Sequence, residues 1–233
     1  MSSPCVVVLA AGLGRRLGRG PKALLRLEGE TLAARAVRAA AAAGGRPLLV
    51  LGPRAAEIAA SVQQPDRGGE LVTVQVSGWE EGMSRAWRAG VERALELEPG
   101  LPVAVVLVDQ PGVRPEVLSR LLQAHRPGRI TRAAYRGRPG HPVVLDPSHA
   151  AAAARRAQGD TGAREYLRDH LDAIDTVECA DLGSDDDIDV PADLARWPGL
   201  GSEGGADDAG RTPRAGCAAG VVLHAVAWTA RGA

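Results

Sequence analysis

The chain has 233 residues, enough for one sizeable domain with its own hydrophobic core. Lysine plus arginine and aspartate plus glutamate number 28 each, so the formal net charge is zero, which argues against bulk binding to nucleic acid or to an anionic membrane. The three cysteines stand in no ligand spacing and no apolar run is long enough to span a bilayer, so we expect a cytoplasmic protein without disulfides, zinc or a membrane anchor.

Strand-like and helix-like segments alternate along the first half of the chain. Apolar runs typical of buried strands are CVVVLA, PLLVLG, LVTVQVS and VAVVLVD. Helical patterns lie between and after them, in TLAARAVRAAAAAGG, near residues 54–62, in EEGMSRAWRAGVERALEL and in RPEVLSRLLQAH. In the third helix Met83, Trp87, Val91 and Leu95 recur at four-residue steps and predict one apolar face. This alternation predicts an α/β fold with a largely parallel sheet.

The second half predicts two short strands, RITRAAYRG and HPVVLD, two helices, AAAARRAQ and TGAREYLRDHL, a strand, AIDTVEC, and a closing helix, PADLARW. From Pro198 the sequence GLGSEGGADDAGRTPRAG is too poor in apolar residues to pack. The later apolar patch VVLHAVAW has no evident partner. We therefore expect one folded domain, residues 1–197, followed by a disordered tail, residues 198–233.

A loop rich in glycine and arginine, LAAGLGRRLGRGPK, directly follows the first strand. Glycine lets the backbone turn and approach a ligand closely, and the cations beside it suggest a polyanion. The dinucleotide fingerprint G-x-G-x-x-G fits poorly, because Gly12, Gly14 and Gly18 have one residue too many between them. The second strand also ends without the acidic residue that holds a ribose. A flexible basic surface loop explains the segment equally well when it is considered alone.

The phosphate-binding loop of ATPases fits no better, because Lys22 is followed by alanine where that loop needs Ser or Thr. The segment does resemble the signature of nucleotidyltransferases that include molybdenum cofactor cytidylyltransferase and its guanylyl counterpart, roughly L-A-A/G-G-x-S-x-R-M-G and then Lys. Gly14 stands where Ser is usual and Leu17 where Met is usual. The matching residues are Leu9, Ala10, Ala11, Gly12, Arg16, Gly18 and Lys22.

This resemblance to the MobA-like nucleotidyltransferase family, closest to its cytidylyltransferase branch, implies a three-layer Rossmann-like fold with a mostly parallel mixed sheet. It also implies that nucleotide binds along the loop, at Leu9, Ala10, Ala11, Gly12, Gly14 and Lys22. Arg16 and Lys22 would meet the phosphates, through charge-assisted hydrogen bonds worth about 1.5–3 kcal/mol each.

The segment GWEEGMSRAWRAG resembles the family pattern W-x-x-G-M-x-x-S, in which a helix N-terminus approaches the bound nucleotide or substrate. The resemblance implies nucleotide contacts from Gly82 and Ser84, and a substrate contact from Trp79. The competing interpretation places Met83 and Trp87 in the core, and for Trp87 we expect this.

The segment VVLVDQPGV resembles the family's D-x-P at the end of a central strand, where α/β folds bind ligands. The resemblance implies that Asp109 holds Mg²⁺, which bridges phosphate oxygens. SDDDIDVPADL resembles the closing D-I-D-T-P-E-D-L and implies a second metal carboxylate at Asp187 or Asp189. A turn or helix-cap role explains any one of these aspartates equally well.

GRPGHPVVL and GDTGAREYL match G-H-P-V and G-D-x-G-A-R, segments typical of the cytidylyltransferase branch. They imply that His141 and Asp160 contact the substrate, against a structural histidine and a helix N-cap as competing roles. Across roughly residues 6–197 the resemblance implies a Mg²⁺-dependent transferase in which an acceptor phosphate attacks the α-phosphorus of CTP, with Arg16, Lys22 and Asp109 as catalytic residues. The implied acceptor is molybdopterin, and the implied protein partner is a molybdoenzyme or its chaperone.

Two alternatives stay open. One keeps the reaction and changes the acceptor to a sugar phosphate or another small phosphate. The other is an NAD(P)H-dependent reductase on the same fold, since some proteins with this domain are described as oxidoreductases that act on a quinone-like pigment, nicotine blue.

Overall fold

The computed structural model describes residues 2–63 and 71–200 in full, and the backbone of residues 223–225. The strands are β1 (Cys5–Ala10), β2 (Arg26–Leu27), β3 (Glu30–Thr31), β4 (Arg46–Leu51), β5 (Val72–Gln75), β6 (Val103–Leu107), β7 (Ile130–Tyr135), β8 (Arg138–Leu145), β9 (Ile174–Glu178) and β10 (Leu223–Ala225). The α-helices are α1 (Leu32–Ala42), α2 (Ala55–Ala60), α3 (Met83–Leu97), α4 (Pro115–Ala124), α5 (Pro147–Arg156) and α6 (Arg164–Arg168). Short 3₁₀ helices occupy Lys22–Leu24, Trp79–Glu81, Leu171–Ala173 and Pro191–Arg196.

One mixed sheet organises the molecule, with strand order β10-β5-β4-β1-β6-β8-β7-β9. The pairs on both sides of β1 are parallel, and so are those of β5 with β4 and β10 and of β7 with β9. β8 runs antiparallel to both of its neighbours, β6 and β7. Parallel neighbours need crossover connections, which cover the sheet with helices and bury its strands on both faces. The predicted mostly parallel mixed sheet is confirmed. β2 and β3 form a separate small hairpin, which the sequence analysis did not predict.

Two helical layers enclose this sheet. Alternate residues of β1 enter different cores, because successive side chains of a strand point to opposite faces. Val6, Val8 and Ala10 pack with residues of α1, α2 and α4. Cys5, Val7 and Leu9 pack with residues of α3, α5 and α6. The three-layer architecture is therefore confirmed.

The helices begin and end largely where the sequence predicts. The Thr31 hydroxyl accepts a hydrogen bond from the Ala34 amide and caps α1, which is followed by Gly44 at a φ of 82°. In α3, Trp87 is buried as expected, whereas Met83 at the first turn is 47% exposed. Within the described residues no helix is both long and apolar enough to cross a membrane.

The C-terminal end differs from the expectation in three details. The closing segment PADLARW forms a 3₁₀ helix rather than an α-helix. Leu200 is buried in the core and its amide bonds the Trp197 carbonyl, so the packed chain continues beyond the predicted boundary at residue 197. Leu223–Ala225, from the patch expected to lack a partner, pairs in parallel with β5. Residues 201–222 and 226–233 lie outside the described residues, so for them the tail stays a prediction.

Candidate active site

The end of β1 gives the site its backbone. Leu9, Ala10 and Ala11 are buried, so their side chains belong to the core. Gly12, directly beyond them, is exposed. The amide of Val108 donates to the Leu9 carbonyl, which ties the ends of β1 and β6 together. Any contact of this stretch with a nucleotide would therefore come from backbone groups.

The glycine-rich loop folds back on itself, which accounts for glycine at position 14, where the family signature has Ser. Gly14 has a φ of +64°, and a Cβ there would lie 2.5 Å from the Gly20 carbonyl oxygen, so a serine would be strained. The amides of Leu17 and Gly18 both donate to the Gly14 carbonyl. Leu17 is 4% exposed and anchors the loop in the core.

Lys22 brings distant parts of the chain together at this point. Its Nζ donates to Asp109 Oδ2 at 2.7 Å and to Asp189 Oδ1 at 2.5 Å. Arg16, on the exposed loop, reaches Asp189 Oδ2 with Nη1 at 3.2 Å. The Ile188 amide donates to the Asp109 carbonyl and so holds the segment of residues 187–189 against the end of β6. We call Lys22, Asp109, Asp187 and Asp189 the lysine–aspartate cluster.

Gln110 positions Asp187 and was missed in the sequence analysis. Its Nε2 donates to Asp187 Oδ1 at 2.8 Å and to the Asp185 carbonyl at 3.2 Å. Its position inside the D-x-P segment, directly after Asp109, was the available signal. The cap proposed as a competing role falls to Asp193, whose Oδ2 accepts from the amides of Asp189 and Val190. The Asp187 and Asp189 side chains are thus not used as helix caps.

The members of the cluster differ in how their neighbours shift their pKa values. Burial by itself would lower the pKa of Lys22, but the charges and hydrogen bonds of Asp109 and Asp189 outweigh it, and the pKa is raised. The hydrogen bond from Lys22 lowers the pKa of Asp189. Partial burial raises the pKa of Asp187, the negative charge of Asp109 adds to this, and the hydrogen bond from Gln110 opposes it. Asp109 and Asp189 thus share the Lys22 ammonium, Asp187 adds a third carboxyl group nearby, and Arg16 pairs with Asp189 at the edge of the cluster.

Two backbone amides in the first turn of α3, where the sequence analysis expected a nucleotide or substrate to bind, already donate hydrogen bonds within the protein. The Met83 amide donates to Asp160 Oδ1 at 3.2 Å and the Ser84 amide to the Gly159 carbonyl at 2.9 Å. Gly82 is required here, because a Cβ would lie 2.5 Å from the Gly159 oxygen. Asp160 therefore caps α3 rather than the helix that follows it in sequence. These two amides already have partners within the protein.

The structure does not bring all predicted contacts to one place. Ser84 is buried and lines a cavity of about 300 Å³ between α3 and the end of β5. Asp187 and Asp189 line a different cavity, of about 490 Å³. Trp79 lies in a 3₁₀ helix and is partly exposed. Nucleotide contacts from Ser84 and Gly82 and a substrate contact from Trp79 stay predictions.

The positive charges of two arginines, neither of which the sequence analysis singled out, act on His141. Arg132 Nε donates to the Gly140 carbonyl at 3.0 Å, and Tyr135 Oη donates to the His141 carbonyl at 2.9 Å. Burial and the positive charges of Arg132 and Arg164 lower the pKa of His141 to about 4, so the ring is neutral at pH 7. Arg164 makes no ion pair within the described part of the chain. Its place in the G-D-x-G-A-R segment was the signal that could have identified it.

One loop joins the two regions. Asp185 places its carboxylate over Gly140, in the space that a side chain there would fill. The same loop continues to Asp187 and Asp189. Residues 185–189 therefore supply two aspartates of the lysine–aspartate cluster and also reach Gly140, the neighbour of His141.

Known proteins are similar to this chain in sequence and in fold. Residues 6–174 match the family described as the MobA-like NTP transferase domain. Nicotine blue oxidoreductase of Paenarthrobacter nicotinovorans is 38% identical over 204 residues, 83% of this chain and 96% of that protein. A probable molybdenum cofactor guanylyltransferase of Opitutus terrae is 38% identical over 125 residues, 52% of this chain and 55% of that protein.

The fold itself has relatives among solved structures. A nucleotidyl transferase from Methanothermobacter thermautotroptrophicus superposes with a TM-score of 0.67 at 22% identity, over 84% of this chain and 96% of its own. At that identity the likeness concerns the fold. The family match spans more than half of the sequence and includes β1, the glycine-rich loop and Asp109. The chain therefore belongs to the MobA-like NTP transferase family, an enzyme family whose chemistry is nucleotidyl transfer.

Proposed function

We propose that the protein transfers a cytidylyl group from CTP to molybdopterin and releases pyrophosphate. The observation that carries the proposal is the convergence of Lys22, Asp109 and Asp189 beside the glycine-rich loop. Cations and carboxylates at the carboxyl end of central parallel strands suit a metal-bound triphosphate. CTP and molybdopterin are chosen on the LAAG, GHPV and GDTGAR segments, and on the family to which the chain belongs.

Phosphoryl transfer leaves little covalent work to the protein, so the residues act by positioning and by charge. Lys22 and Arg16 meet the phosphates of the nucleotide, and exposed backbone around Gly12 approaches them. Each charge-assisted contact contributes about 1.5–3 kcal/mol. Arg16, which is 78% exposed, has room to turn towards a ligand.

Asp109 and Asp189 have the donor chemistry for Mg²⁺. Their oxygens lie within 2.7 Å and 2.5 Å of one ammonium, so they already converge on a cation. Mg²⁺ typically takes one or two protein carboxylates and keeps several waters, so two aspartates suffice. Asp187, which accepts a hydrogen bond from Gln110, adds a further carboxyl group near them. When bound, the ion would neutralise charge that develops on the phosphate oxygens.

The acceptor's phosphate binds beside Arg132, His141 and Arg164. Two guanidinium groups around a neutral imidazole provide hydrogen-bond donors and positive charge for an anion. Asp185 faces Arg132 and partly offsets its charge, whereas Arg164 has no acidic partner among the described residues. An acceptor phosphate in this position would lie near Asp185, in the same loop that carries Asp189.

Pyrophosphate release from each of the four NTPs, with and without molybdopterin, tests the proposal. We expect release with CTP only when molybdopterin is present, and its loss in EDTA. Release with a sugar phosphate and not with molybdopterin would move the proposal to another acceptor. Release with GTP would move it to the activity named for the Opitutus terrae relative.

A second candidate is an NAD(P)H-dependent reductase of a quinone-like pigment. It is favoured by the relative named nicotine blue oxidoreductase, which is matched over 96% of its length. Against a dinucleotide site stand the spacing of Gly12, Gly14 and Gly18 and the Gly52–Pro53 turn after β4, where an acid would hold the ribose. NAD(P)H oxidation in the presence of such a pigment, insensitive to EDTA and without pyrophosphate release from any NTP, would replace the transferase proposal with this one.

A further inference from the structure

We propose that Lys22 is a stand-in for the divalent cation: in the protein without ligands its ammonium holds Asp109 and Asp189 together, and it leaves them only when metal and triphosphate bind together. This inference rests on the proposed transferase function and adds to it what occupies the metal position before the nucleotide binds. It concerns the order in which ligands bind rather than the chemical step.

The geometry of the Lys22 side chain is that of a bound cation. Its ammonium lies within hydrogen-bond distance of a carboxylate oxygen from each of two segments, and the side chain is only 11% exposed. Asp109 follows a central strand, and Asp189 belongs to the loop that closes over it. Without a cation between them these carboxylates would repel each other in a partly buried place.

The choice of lysine at this position is unusual for this chain. Lys22 is the single lysine of the sequence, beside 27 arginines. An ammonium is a compact point charge with three donors, whereas a guanidinium is a planar fork that grips one carboxylate with two parallel bonds. The ammonium, a compact charge that bonds both carboxylates at once, is therefore a closer substitute for a metal ion at this place than a guanidinium would be.

Exchange needs a new partner for the ammonium. Removing one member of a partly buried ion pair leaves a charge without compensation, which is costly. A metal ion that arrives alone would displace Lys22 into such a state. A triphosphate supplies oxygens that accept the displaced ammonium, so metal and triphosphate each favour binding of the other. Such coupling between ligands is reciprocal and typically about 5- to 150-fold.

The first test measures Mn²⁺ binding to the protein without nucleotide, by the loss of the free-ion electron paramagnetic resonance signal. We expect native protein to bind Mn²⁺ weakly and Lys22→Met to bind it at least about fivefold more tightly, because the carboxylates lose their competitor. Lys22→Arg keeps the charge and should bind no more tightly than native protein. Arg15→Met, which removes an exposed cation of the same loop, is the matched control and should change nothing. Equal or weaker binding by Lys22→Met overturns the proposal.

The second test uses native protein and does not depend on the folding of a variant. Because the chain has one lysine, ¹⁵N-lysine labelling gives one side-chain ammonium signal in a nuclear magnetic resonance spectrum. We expect this signal to shift when Mg²⁺ and inorganic tripolyphosphate are added together, and to stay when Mg²⁺ is added alone. A signal unchanged by the pair, while calorimetry shows that the pair binds, overturns the proposal. Neither test measures turnover, so a failure here is distinct from a failure of pyrophosphate release.

Discussion

Two clusters in this protein pair aspartates with basic side chains, and they differ in whether carboxylates or cations are in excess. In the lysine–aspartate cluster, Asp109 and Asp189 share Lys22, Arg16 also pairs with Asp189, and Asp187 is a third carboxyl group with no cation bonded to it among the described residues. At the β9 edge of the sheet the proportions are reversed. There one carboxylate, Asp175, accepts from Arg129 at 2.7 Å and from Arg126 at 2.8 Å. We call these three residues the β9 cluster.

The difference separates a structural ion pair from a binding site. In the β9 cluster the guanidinium groups of Arg126 and Arg129 join the loop before β7 to strand β9, which pairs with β7. Both carboxylate oxygens of Asp175 accept hydrogen bonds from these two cations. In the lysine–aspartate cluster carboxyl groups are in excess, and the cation between Asp109 and Asp189 is a lysine ammonium, a compact point charge rather than a planar fork. Surplus carboxylate beside a glycine-rich loop indicates a ligand, whereas a saturated pair at a sheet edge indicates stability. The variants below test this contrast.

The largest expected effect is that of Asp109→Asn. Loss of a metal carboxylate removes stabilisation of the transition state worth several kcal/mol, so pyrophosphate release should fall by orders of magnitude. Melting temperature should change little, because Lys22 keeps Asp189 as a partner. The same substitution in the β9 cluster, Asp175→Asn, is the control and should leave turnover intact. Normal turnover of Asp109→Asn would make the two clusters equivalent and would contradict the transferase mechanism.

Arg164→Met should affect the acceptor and spare the nucleotide. Loss of one charge-assisted hydrogen bond to the acceptor phosphate should raise the KM for the acceptor about tenfold, with the KM for the NTP unchanged. Steady-state kinetics with each substrate varied in turn measures both constants. Arg168→Met removes a cation from the same helix, next to Asp169, and serves as the control. An equal rise in both KM values would show that Arg164 does not distinguish the two ligands.

Asp175→Asn should lower the melting temperature by a few degrees at neutral pH and less in acid. Hydrogen bonds from Arg129 and Arg126 lower the pKa of Asp175 to about 2 in the folded state. A carboxyl whose pKa is lowered by folding stabilises above its unfolded value, and this contribution is lost as the pH falls through the folded value. The difference between native and variant should therefore shrink between about pH 4 and pH 2. Thermal unfolding across this range measures it, and a difference that grows in acid would contradict the assignment.

The smallest effect is expected from truncation after Leu200. The cut keeps the buried Leu200 and removes β10, which adds three residues to the outer edge of the sheet at β5. Turnover should stay unchanged, because both clusters lie within the retained residues. Assay of pyrophosphate release and thermal unfolding of the truncated protein would check this. A large loss of either would show that the tail is part of the domain.

The fold was predictable because its signals are local. Continuous apolar runs predicted β1, β4, β5 and β6, and helical periodicity predicted α1, α3 and α4 between them. The parallel direction of these four strands follows from the helices that connect them, whereas their order in the sheet was not predicted. The tight β2–β3 hairpin is only two residues on each side, too short for any periodicity to mark it.

The candidate site was predictable only as a set of separate residues. The glycine-rich loop and the aspartates after the strands were found from motifs, but their partners were not. Asp160 was expected to cap its own helix or to bind substrate, and in the structure it caps α3, 77 residues earlier in the chain. Gln110 was marked only by its place directly after Asp109, and Arg132, inside β7, belongs to no motif.

The sequence by itself determined the α/β class, the family and the presence of a basic loop and acidic strand ends, since each depends on neighbouring residues. Only the tertiary structure decided that Lys22 lies between Asp109, 87 residues away, and Asp189, 167 residues away. No local pattern encodes such a contact, because it depends on the pairing of β1 with β6 and on the packing of residues 187–189 against the end of β6. The same packing decided which aspartates share a cation and which cap a helix.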